Sequence, residues 1–314
     1  MTKVFIDGSA GTTGLRINER LSDRSDIQLI KLPEELRKDT DARKEALNSA
    51  DIAFLCLPDA AAIEAVSLVD NPNTAIIDTS TAHRTNASWT YGFPELLNSY
   101  DAIKNSKRIA NPGCHASGFV ALIKPLVDAG IVSPDKLLHC FSLTGYSGGG
   151  KKMIAEYENA ERPALYDAPR QYGISQNHKH LPEMAKISGL SYSPLFCPIV
   201  APFYSGMEVT VTLGSAELNS SVDAIKRITE VYENVYNTNR GLVRFVEAAS
   251  EDGFLSACAF SGRDDMEISV SGNDERIILV SRFDNLGKGA SGSAIQNMNI
   301  LLGVSEAEGL NVGK

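Results

Sequence analysis

The sequence predicts an α/β protein with two domains, one built on a doubly wound parallel sheet and one of the α+β class with a mixed sheet. Its 314 residues exceed the usual size of one compact domain, so two hydrophobic cores are expected. The first 130 residues alternate short apolar runs with amphipathic stretches, which is the pattern of repeated β-α-β units. From about residue 136 the runs are longer and alternate apolar with polar residues, which indicates the second sheet.

The strands of the first sheet are predicted from apolar runs that are too short for an average helix and are bounded by turn or cap residues. Parallel strands take this form because helices cover both faces of the sheet. These runs are residues 3–7, 27–32, 51–57, 74–78 and 108–110, and those of the second sheet are residues 137–144, 208–213 and 276–281.

A final helix is predicted within residues 289–304, where Ile295, Met298 and Leu301 recur at helical spacing after a glycine-rich turn. We expect this helix to return to the first domain. The predicted domains are therefore a dinucleotide-binding domain of residues 1–114 and 285–314, and a second domain of residues 115–284.

The composition argues against several classes of protein. The net charge of −9 is spread along the chain, and no block of Lys and Arg suggests binding to nucleic acid. No apolar segment is long enough for a membrane helix. Five cysteines without a Cys-x-x-Cys pair indicate neither a disulfide framework nor a structural zinc site. Because the N-terminus also lacks the composition of a signal or transit peptide, we expect a cytoplasmic protein.

A glycine-rich turn follows the first predicted strand and precedes a segment of helical pattern. Such a turn lets the backbone approach a pyrophosphate, which then faces the N–H groups of the helix N-terminus. The Gly-x-x-Gly-x-x-Gly spacing would also fit an ordinary tight turn, but its place in a β-α-β unit favours a Rossmann-like dinucleotide site. The candidate cofactor-binding residues are Gly8, Ser9, Ala10, Gly11, Thr12, Thr13 and Gly14.

The charges that follow the second strand bear on which dinucleotide binds. An NAD site usually carries an acidic residue about 20 residues beyond the glycines. Here the chain has Lys31, Arg37 and Lys38, although Glu34 and Glu35 lie among them and a solvated charged loop would also fit. These cations favour the additional phosphate of NADPH/NADP.

Cys114 is the candidate nucleophile. It ends the turn Asn111-Pro-Gly-Cys114 and begins a segment of helical pattern, where the helix dipole would stabilise the thiolate. A packed cysteine at a turn is the alternative. The other cysteines lie in apolar or mixed strand-like surroundings that are typical of core residues, and they are Cys56, Cys140, Cys197 and Cys258.

A reactive thiolate combined with NADPH predicts the reduction of an acyl phosphate to an aldehyde. A hydride does not readily add to a carboxylate, whereas a thioester carbonyl accepts it. Attack by the thiolate of Cys114 on an acyl phosphate would release phosphate and leave a thioester, and hydride transfer would give a thiohemiacetal that collapses to the aldehyde.

Histidine is the residue best suited to give the departing sulfur a proton near neutral pH. His178 and His180 would share one face if their segment were extended, and Glu183 would then be able to orient one of them. Solvated loop histidines are one alternative. A metal site is another, but no further clustered ligands accompany the pair, so we expect no metal.

The negative charge of an acyl phosphate calls for cations and hydrogen-bond donors. Arg84 follows a predicted strand end, and a glycine-rich loop offers Ser147 and Lys151, so these three are the candidate substrate-binding residues. A surface arginine and a flexible loop are the alternative interpretations.

Taken together, these segments resemble the short form of the N-acetyl-gamma-glutamyl-phosphate reductase family of arginine biosynthesis, which is related to aspartate-semialdehyde dehydrogenase. The resemblance covers nearly the whole chain. The segments that carry it are residues 8–14, 78–84, 91–96, 111–114, 145–151, 178–183 and 284–290.

The resemblance implies that Cys114 is the nucleophile, that residues 178–183 supply the catalytic histidine, and that NADPH lies over the glycine turn. It implies that N-acetyl-L-glutamyl 5-phosphate is reduced to N-acetyl-L-glutamate 5-semialdehyde, and that the second domain forms the interface of a homo-oligomer, a dimer or a tetramer. The wider superfamily pattern implies that Arg84 binds the substrate phosphate and that Asn285 approaches the nicotinamide. His115 departs from the family, since many members have Tyr there, and it adds a third histidine near the site.

Two other functions stay open at this point. One is aspartate-semialdehyde dehydrogenase, against which the Pro-Gly before Cys114 and the Tyr-Ser-Gly-Gly-Gly loop favour the N-acetylglutamyl enzyme. The other is a non-catalytic regulator that senses NADP, against which the presence of Cys114 together with His178 and His180 argues.

Overall fold

The computed structural model describes residues 1–313, which divide into two compact units. The predicted division at residues 114 and 285, and the roles given to its parts, stay predictions. The first unit contains Met1–Pro94, Asn98–Gly113 and Ala290–Leu310, and the second contains Glu95–Leu97, Cys114–Gly289 and the described residues that follow position 310.

The first unit contains a six-stranded parallel sheet. In chain order its strands are β1 (Thr2–Asp7), β2 (Ile27–Ile30), β3 (Ile52–Leu55), β4 (Ala75–Asp78), β5 (Thr90–Tyr91) and β6 (Arg108–Ala110). Their spatial order is β2-β1-β3-β4-β6-β5, so the direction of winding reverses at β1, as in a doubly wound sheet. All five predicted strands of this sheet are confirmed.

Helices cover both faces of this sheet. One apolar cluster joins Val4 and Phe54 to Ile295 and Met298 of the final helix, which lies in the first unit. A second cluster packs Phe5 and its neighbours from the other face of the sheet against two further helices. The helices of this unit are α1 (Thr12–Ser22), α2 (Thr40–Ser49), α3 (Asp59–Ser67), α4 (Ser99–Lys104) and α9 (Gly292–Leu302).

The second unit contains a seven-stranded mixed sheet, in which the three predicted runs are confirmed as strands. Its strands are β7 (His139–Gly145), β8 (Arg170–Gln171), β9 (Leu195–Ala201), β10 (Met207–Gly214), β11 (Val243–Phe245), β12 (Met266–Asn273) and β13 (Arg276–Phe283). The spatial order is β11-β12-β13-β10-β7-β9-β8, and only the pairs β7–β9 and β11–β12 are parallel among the described residues.

One face of the second sheet is covered by helices, and the other face is partly exposed. Its helices are α5 (Cys114–Asp128), α6 (Gly150–Glu158), α7 (Leu181–Ser188) and α8 (Ala224–Tyr236). Helix α5 packs directly on the sheet, because a Cβ at Gly118 would contact Val209 and Ser281. The hydroxyls of Tyr232 and Tyr236 on α8 donate to α5 carbonyls at 2.7 Å, which ties these two helices together. None of the helices in the described part of the chain is long and apolar enough to cross a lipid bilayer.

Candidate active site

The predicted glycine turn connects β1 to α1, and two of its glycines are required by the backbone. Gly8 has a φ of +87°, and a Cβ there would overlap the carbonyl oxygen of Cys56. A Cβ at Gly14 would overlap the carbonyl oxygen of Gly8, so the turn and the helix pack closely. Gly11 caps α1 without a side-chain hydrogen bond, which suits the helix N-terminus to an anion. The other turn residues are at least partly exposed, and they are Ser9, Ala10, Thr12 and Thr13.

A buried ion pair holds the strand that leads into this turn. The guanidinium of Arg43 on α2 donates from Nε and Nη2 to one carboxylate oxygen of Asp7, each at 3.0 Å. Burial nevertheless raises the pKa of Asp7, because the loss of hydration outweighs the effect of Arg43. The predicted phosphate-binding cations, Lys31, Arg37 and Lys38, are exposed after β2.

Cys114 is the first residue of α5, as predicted, and its side chain is half-buried. Burial raises the pKa of Cys56 to about 12 and also raises that of Cys140, so neither thiol ionises near neutral pH. The prediction that Cys258 is a core residue in strand-like surroundings is wrong, because Cys258 is exposed in a turn. None of the five cysteines forms a disulfide.

Three histidines lie together in the second unit. The ring centroids of His178 and His180 are 4.8 Å apart. The ring centroid of His115 lies 5.7 Å from that of His178 and 5.6 Å from that of His180. The expectation of an extended segment is wrong: His180 has helical backbone angles and precedes α7, and its N–H donates to His178 Nδ1 at 3.2 Å. The sequence contained a signal for this helix start, because Leu181-Pro-Glu183 places a proline in the first turn of α7, where proline is favoured. Glu183 is buried in the first turn of α7.

His115 joins a strand to a tyrosine that the sequence analysis missed. Its Nδ1 lies 2.7 Å from Ser142 Oγ on β7, and its Nε2 lies 2.7 Å from the hydroxyl of Tyr172. Burial, reinforced by His178 and then by Lys179, lowers the pKa of His115 to about 3, so its imidazole is neutral at pH 7. Burial and then Lys179 also lower the pKa of His178.

Tyr172 lies within electrostatic reach of Cys114. Its pKa is raised by burial and then by the charge of Cys114, so the phenol stays protonated near neutral pH. The second unit thus brings together a thiol, a phenol and three imidazoles. In the described part of the chain no group of three or more His, Cys, Asp or Glu side chains is arranged to hold a metal ion.

Asn285 and Ser147, which were predicted to bind cofactor and substrate, are hydrogen-bonded to each other. Asn285 Nδ2 donates to Ser147 Oγ at 3.0 Å, and Asn285 Oδ1 accepts from the N–H of Gly206 at 3.0 Å. Both side chains are almost completely buried. They therefore join the start of the 145–151 loop to the turn after β13, while Lys151 is exposed on α6.

Arg84 lies in the first unit, where it is 7% exposed. Its Nε donates to the carbonyl of Asn111 at 2.9 Å and its Nη2 donates to that of Thr79 at 2.8 Å. Arg84 thereby connects the end of β4 to the turn that leads into Cys114. Nearby, Asp78 accepts a 2.6 Å hydrogen bond from the ring of His83, another interaction that the sequence analysis missed.

A buried ion pair that was not predicted stabilises the turn between β13 and α9. Lys288 Nζ lies 2.7 and 2.9 Å from the carboxylate oxygens of Glu95, and Glu95 Oε1 also accepts from the N–H of Leu242 at 2.7 Å. Lys288 is 0% exposed and Glu95 is 3% exposed at the side chain. The sequence contained a signal for this pair, because Glu95 is the charged residue in the motif of residues 91–96 and Lys288 is the basic residue in that of residues 284–290.

Two family models match the chain. One is described as semialdehyde dehydrogenase, NAD binding domain, and matches residues 8–106. The other is described as semialdehyde dehydrogenase, dimerisation domain, and matches residues 114–285.

Curated relatives are similar over nearly their whole length. A protein named N-acetyl-gamma-glutamyl-phosphate reductase 2 from Nostoc sp. is 43% identical, with 98% of this chain and 99% of that protein covered. A protein of the same name from Pseudomonas putida is 42% identical, with 98% of each chain covered. A Brucella ovis protein named N-acetyl-gamma-glutamyl-phosphate reductase is 42% identical, with 96% of this chain and 99% of that protein covered.

Solved structures share the fold at low sequence identity. Aspartate semialdehyde dehydrogenase II from Vibrio cholerae aligns with a TM-score of 0.70 and 17% identity, and covers 96% of this chain and 98% of its own. Aspartate semialdehyde dehydrogenase with NADP from Candida albicans aligns with a TM-score of 0.67 and 15% identity, with the same coverage. At these identities the alignments establish a common fold only.

Proposed function

We propose that this chain, which belongs to the semialdehyde dehydrogenase family and within it to the N-acetyl-gamma-glutamyl-phosphate reductases, reduces N-acetyl-L-glutamyl 5-phosphate to N-acetyl-L-glutamate 5-semialdehyde. It is an oxidoreductase of arginine biosynthesis, as the names of its relatives at about 42% identity indicate. The observation that carries the proposal is the position of Cys114 at the start of α5, with Tyr172 and three histidines grouped in the same unit.

The cofactor is NADPH/NADP. The residues of the glycine turn fit a dinucleotide, because a Cβ at Gly8 or Gly14 would fill the turn and the α1 N-terminus has no side-chain cap. The family model for this region is an NAD binding domain, and one protein of the same fold was solved with NADP. Lys31, Arg37 and Lys38 are the exposed cations that favour the additional phosphate. Asn285 supports the turn before α9 by bonding to Ser147 and Gly206.

Cys114 performs the covalent step. Its sulfur attacks the acyl carbon, the bond from that carbon to the phosphate oxygen breaks, and phosphate leaves. When bound, NADPH supplies the hydride that reduces the resulting thioester. The addition of hydride to the thioester carbon places the electron pair of the carbonyl bond on its oxygen. The carbonyl then re-forms, the carbon–sulfur bond breaks, and its electron pair leaves with the sulfur as the thiolate of Cys114, or as its thiol once a histidine has given it a proton.

His178 and His180 handle the protons of this cycle. His178 is half-buried, and its lowered pKa makes it a neutral base at pH 7. The N–H of His180 donates to His178 Nδ1, which fixes the orientation of the His178 ring. We therefore assign proton transfer to this pair, with His180 as the buried partner that lies closest to α7.

Lys151 is the cation that we assign to the phosphate of the substrate. It is exposed directly after the glycine-rich loop, whereas Ser147 is bonded to Asn285 and Arg84 donates to two backbone carbonyls. Ser147 and Arg84 then contribute to substrate binding chiefly by fixing the loop and the Asn111–Gly113 turn. A variant Lys151→Ala should raise KM for the acyl phosphate with little change in KM for NADPH.

The protein is cytoplasmic, in keeping with five cysteines that form no disulfide. It forms a homo-oligomer through the second unit, with a dimer as its basic assembly. The face of the second sheet that lies opposite α5 exposes Phe141, Leu195 and Ile278, each by 43–45%. The strand register places these residues on one surface, and the family model for residues 114–285 is a dimerisation domain. Light scattering of wild-type protein and Phe141→Glu should give a dimer or tetramer and a smaller species, respectively.

The experiment that tests the function is an assay in the reverse direction. Purified protein is given NADP, phosphate and either N-acetylglutamate semialdehyde or aspartate semialdehyde, and the absorbance of reduced cofactor is recorded. We expect turnover with the first substrate at least 100-fold above the second. A preference for aspartate semialdehyde would assign the other enzyme, and NADP binding without turnover on either would assign a sensor.

A further inference from the structure

His115 and Tyr172 suggest a role in addition to the residues assigned above. We propose that His115 is a positioning residue that holds the Tyr172 hydroxyl beside Cys114, with Ser142 fixing the far side of the imidazole ring. This inference rests on the proposed function of Cys114 as the nucleophile.

The ring of His115 is held on both sides. It lies one residue beyond Cys114 on α5, and its two nitrogens are each 2.7 Å from a hydroxyl oxygen, one on Ser142 and one on Tyr172. Ser142 is completely buried on β7. The ring of Phe196 on β9 packs edge-on against the imidazole, with 5.2 Å between the two ring centroids. The ring therefore has little freedom to rotate.

Tyr172 is fixed by its backbone as well as by its hydroxyl. Its N–H donates to the carbonyl of Pro198 on β9 at 3.0 Å. The charge of Cys114 adds to the effect of burial in raising the pKa of the phenol, so the thiol lies within electrostatic range of Tyr172. The hydroxyl of Tyr172 is thus held by the ring of His115, the residue that directly follows the Cys114 thiol on α5.

The chemistry of a thiolate selects one direction for the hydrogen bonds in this chain. An ionised Cys114 only accepts, so the Tyr172 O–H donates to it, and the Tyr172 oxygen then accepts from the Nε2–H of His115. A neutral imidazole has one donor and one acceptor, so its Nδ1 accepts from the hydroxyl of Ser142. This arrangement needs a neutral His115, which agrees with the low pKa that burial gives it. The chain of donors stabilises the thiolate.

Substitutions at His115 separate its two contacts. The amide of Asn overlaps the Nδ1 position of histidine, so His115→Asn keeps the contact with Ser142 and loses that with Tyr172. The longer side chain of Gln reaches the Nε2 position, so His115→Gln keeps the contact with Tyr172. The readout is the rate at which iodoacetamide alkylates Cys114 at pH 7, followed by mass spectrometry of the Cys114 peptide in protein without substrate.

We expect His115→Asn and Tyr172→Phe each to slow alkylation of Cys114 about tenfold, the effect of losing one hydrogen bond to a charged group. His115→Gln should stay within about threefold of wild type, and kcat should follow the same order with KM for NADPH unchanged. The double variant His115→Asn/Tyr172→Phe should be no slower than Tyr172→Phe alone, because both remove the same interaction.

Circular dichroism and NADP binding check that each variant folds. Ser142→Ala removes only the hydroxyl that contacts His115 Nδ1, so we expect it to slow alkylation of Cys114 by only about threefold. Losses that multiply in the double variant, or a wild-type rate in folded His115→Asn, would overturn the role of His115. Because alkylation needs no substrate, this result is independent of turnover. Activity that survives Cys114→Ala would instead reject the proposed function.

Discussion

Gly289 lies against Cys114 so closely that a Cβ at position 289 would be 3.0 Å from the Cβ of the cysteine. The preceding residue, Lys288, forms an ion pair with Glu95 that holds the turn between β13 and α9 in place. In the same turn, the N–H of Gly289 donates to the carbonyl of Asp284 at 3.0 Å. The turn before α9 therefore packs directly against Cys114, the proposed nucleophile.

The variant Gly289→Ala should lower kcat at least tenfold. The new methyl would press on Cys114 and on the ring of Phe283, so the thiol would shift from its position at the start of α5. Steady-state kinetics with the semialdehyde and NADP measure the effect. Gly130→Ala is a matched control: it has a φ of +66° with nothing within 4 Å, so it should cost stability without loss of kcat. Equal kcat values for the two variants would show that contact with Cys114 does not matter.

The variant Cys114→Ala should remove oxidoreduction and leave NADP binding within about twofold of wild type. In the proposed mechanism the sulfur forms the covalent intermediate, whereas the dinucleotide binds at the glycine turn of the first unit. Turnover is measured by cofactor absorbance, and binding is measured by titration calorimetry with NADP. Cys258→Ser, at an exposed turn position, is the matched control and should retain wild-type turnover.

The glycines of the turn should differ in what their replacement changes. Gly11 has a φ of −72°, and a Cβ there makes ordinary contacts, so Gly11→Ala should fold normally. The new methyl should weaken NADP binding about tenfold by filling space where we propose that the pyrophosphate binds. Gly14→Ala should also lower the melting temperature, because its Cβ overlaps the Gly8 carbonyl. Calorimetry and thermal unfolding separate the two effects. Normal NADP affinity in Gly11→Ala would place the cofactor elsewhere.

Local sequence patterns predicted the strands of the first unit better than they predicted the side-chain contacts of the candidate site in the second unit. The strands of the parallel sheet were predicted because each is a continuous apolar run, whereas Thr90–Tyr91 is too short to show a period. Cys114 was predicted because a turn and a helix meet there. The bond between Asn285 and Ser147 joins residues 138 positions apart, and the Tyr172–His115 contact also depends on packing, so no local pattern indicated either.

The buried pair of Lys288 and Glu95 should be worth more than a surface ion pair when only one partner is removed. Lys288→Met leaves the Glu95 carboxylate buried beside the N–H of Leu242 without its countercharge, and we expect the free energy of unfolding to fall by about 3 kcal/mol. Urea unfolding measures this change. The double variant Glu95→Gln/Lys288→Met should recover at least half of the loss, since the uncompensated charge is gone; no recovery would mean that packing dominates.

The neutral histidines should make the protein less stable at mildly acid pH. Burial lowers the pKa of His115 to about 3 and also lowers that of His178, whereas an unfolded histidine titrates near 6.5. Between these values the unfolded chain binds protons that the folded chain excludes. The contribution is therefore complete above pH 6.5 and is lost as the pH falls toward 3.

For His115 alone, the expected loss in free energy of unfolding between pH 7 and pH 5 is about 2 kcal/mol. Urea unfolding of wild type and His115→Gln at both pH values isolates this contribution, because glutamine does not titrate and other acid-sensitive groups act equally on both proteins. The variant should lose about 2 kcal/mol less than wild type over this range. The same loss in both proteins would mean that the His115 imidazole takes up a proton in the folded state, and the hydrogen-bond chain from Ser142 to Cys114 would then run in another direction.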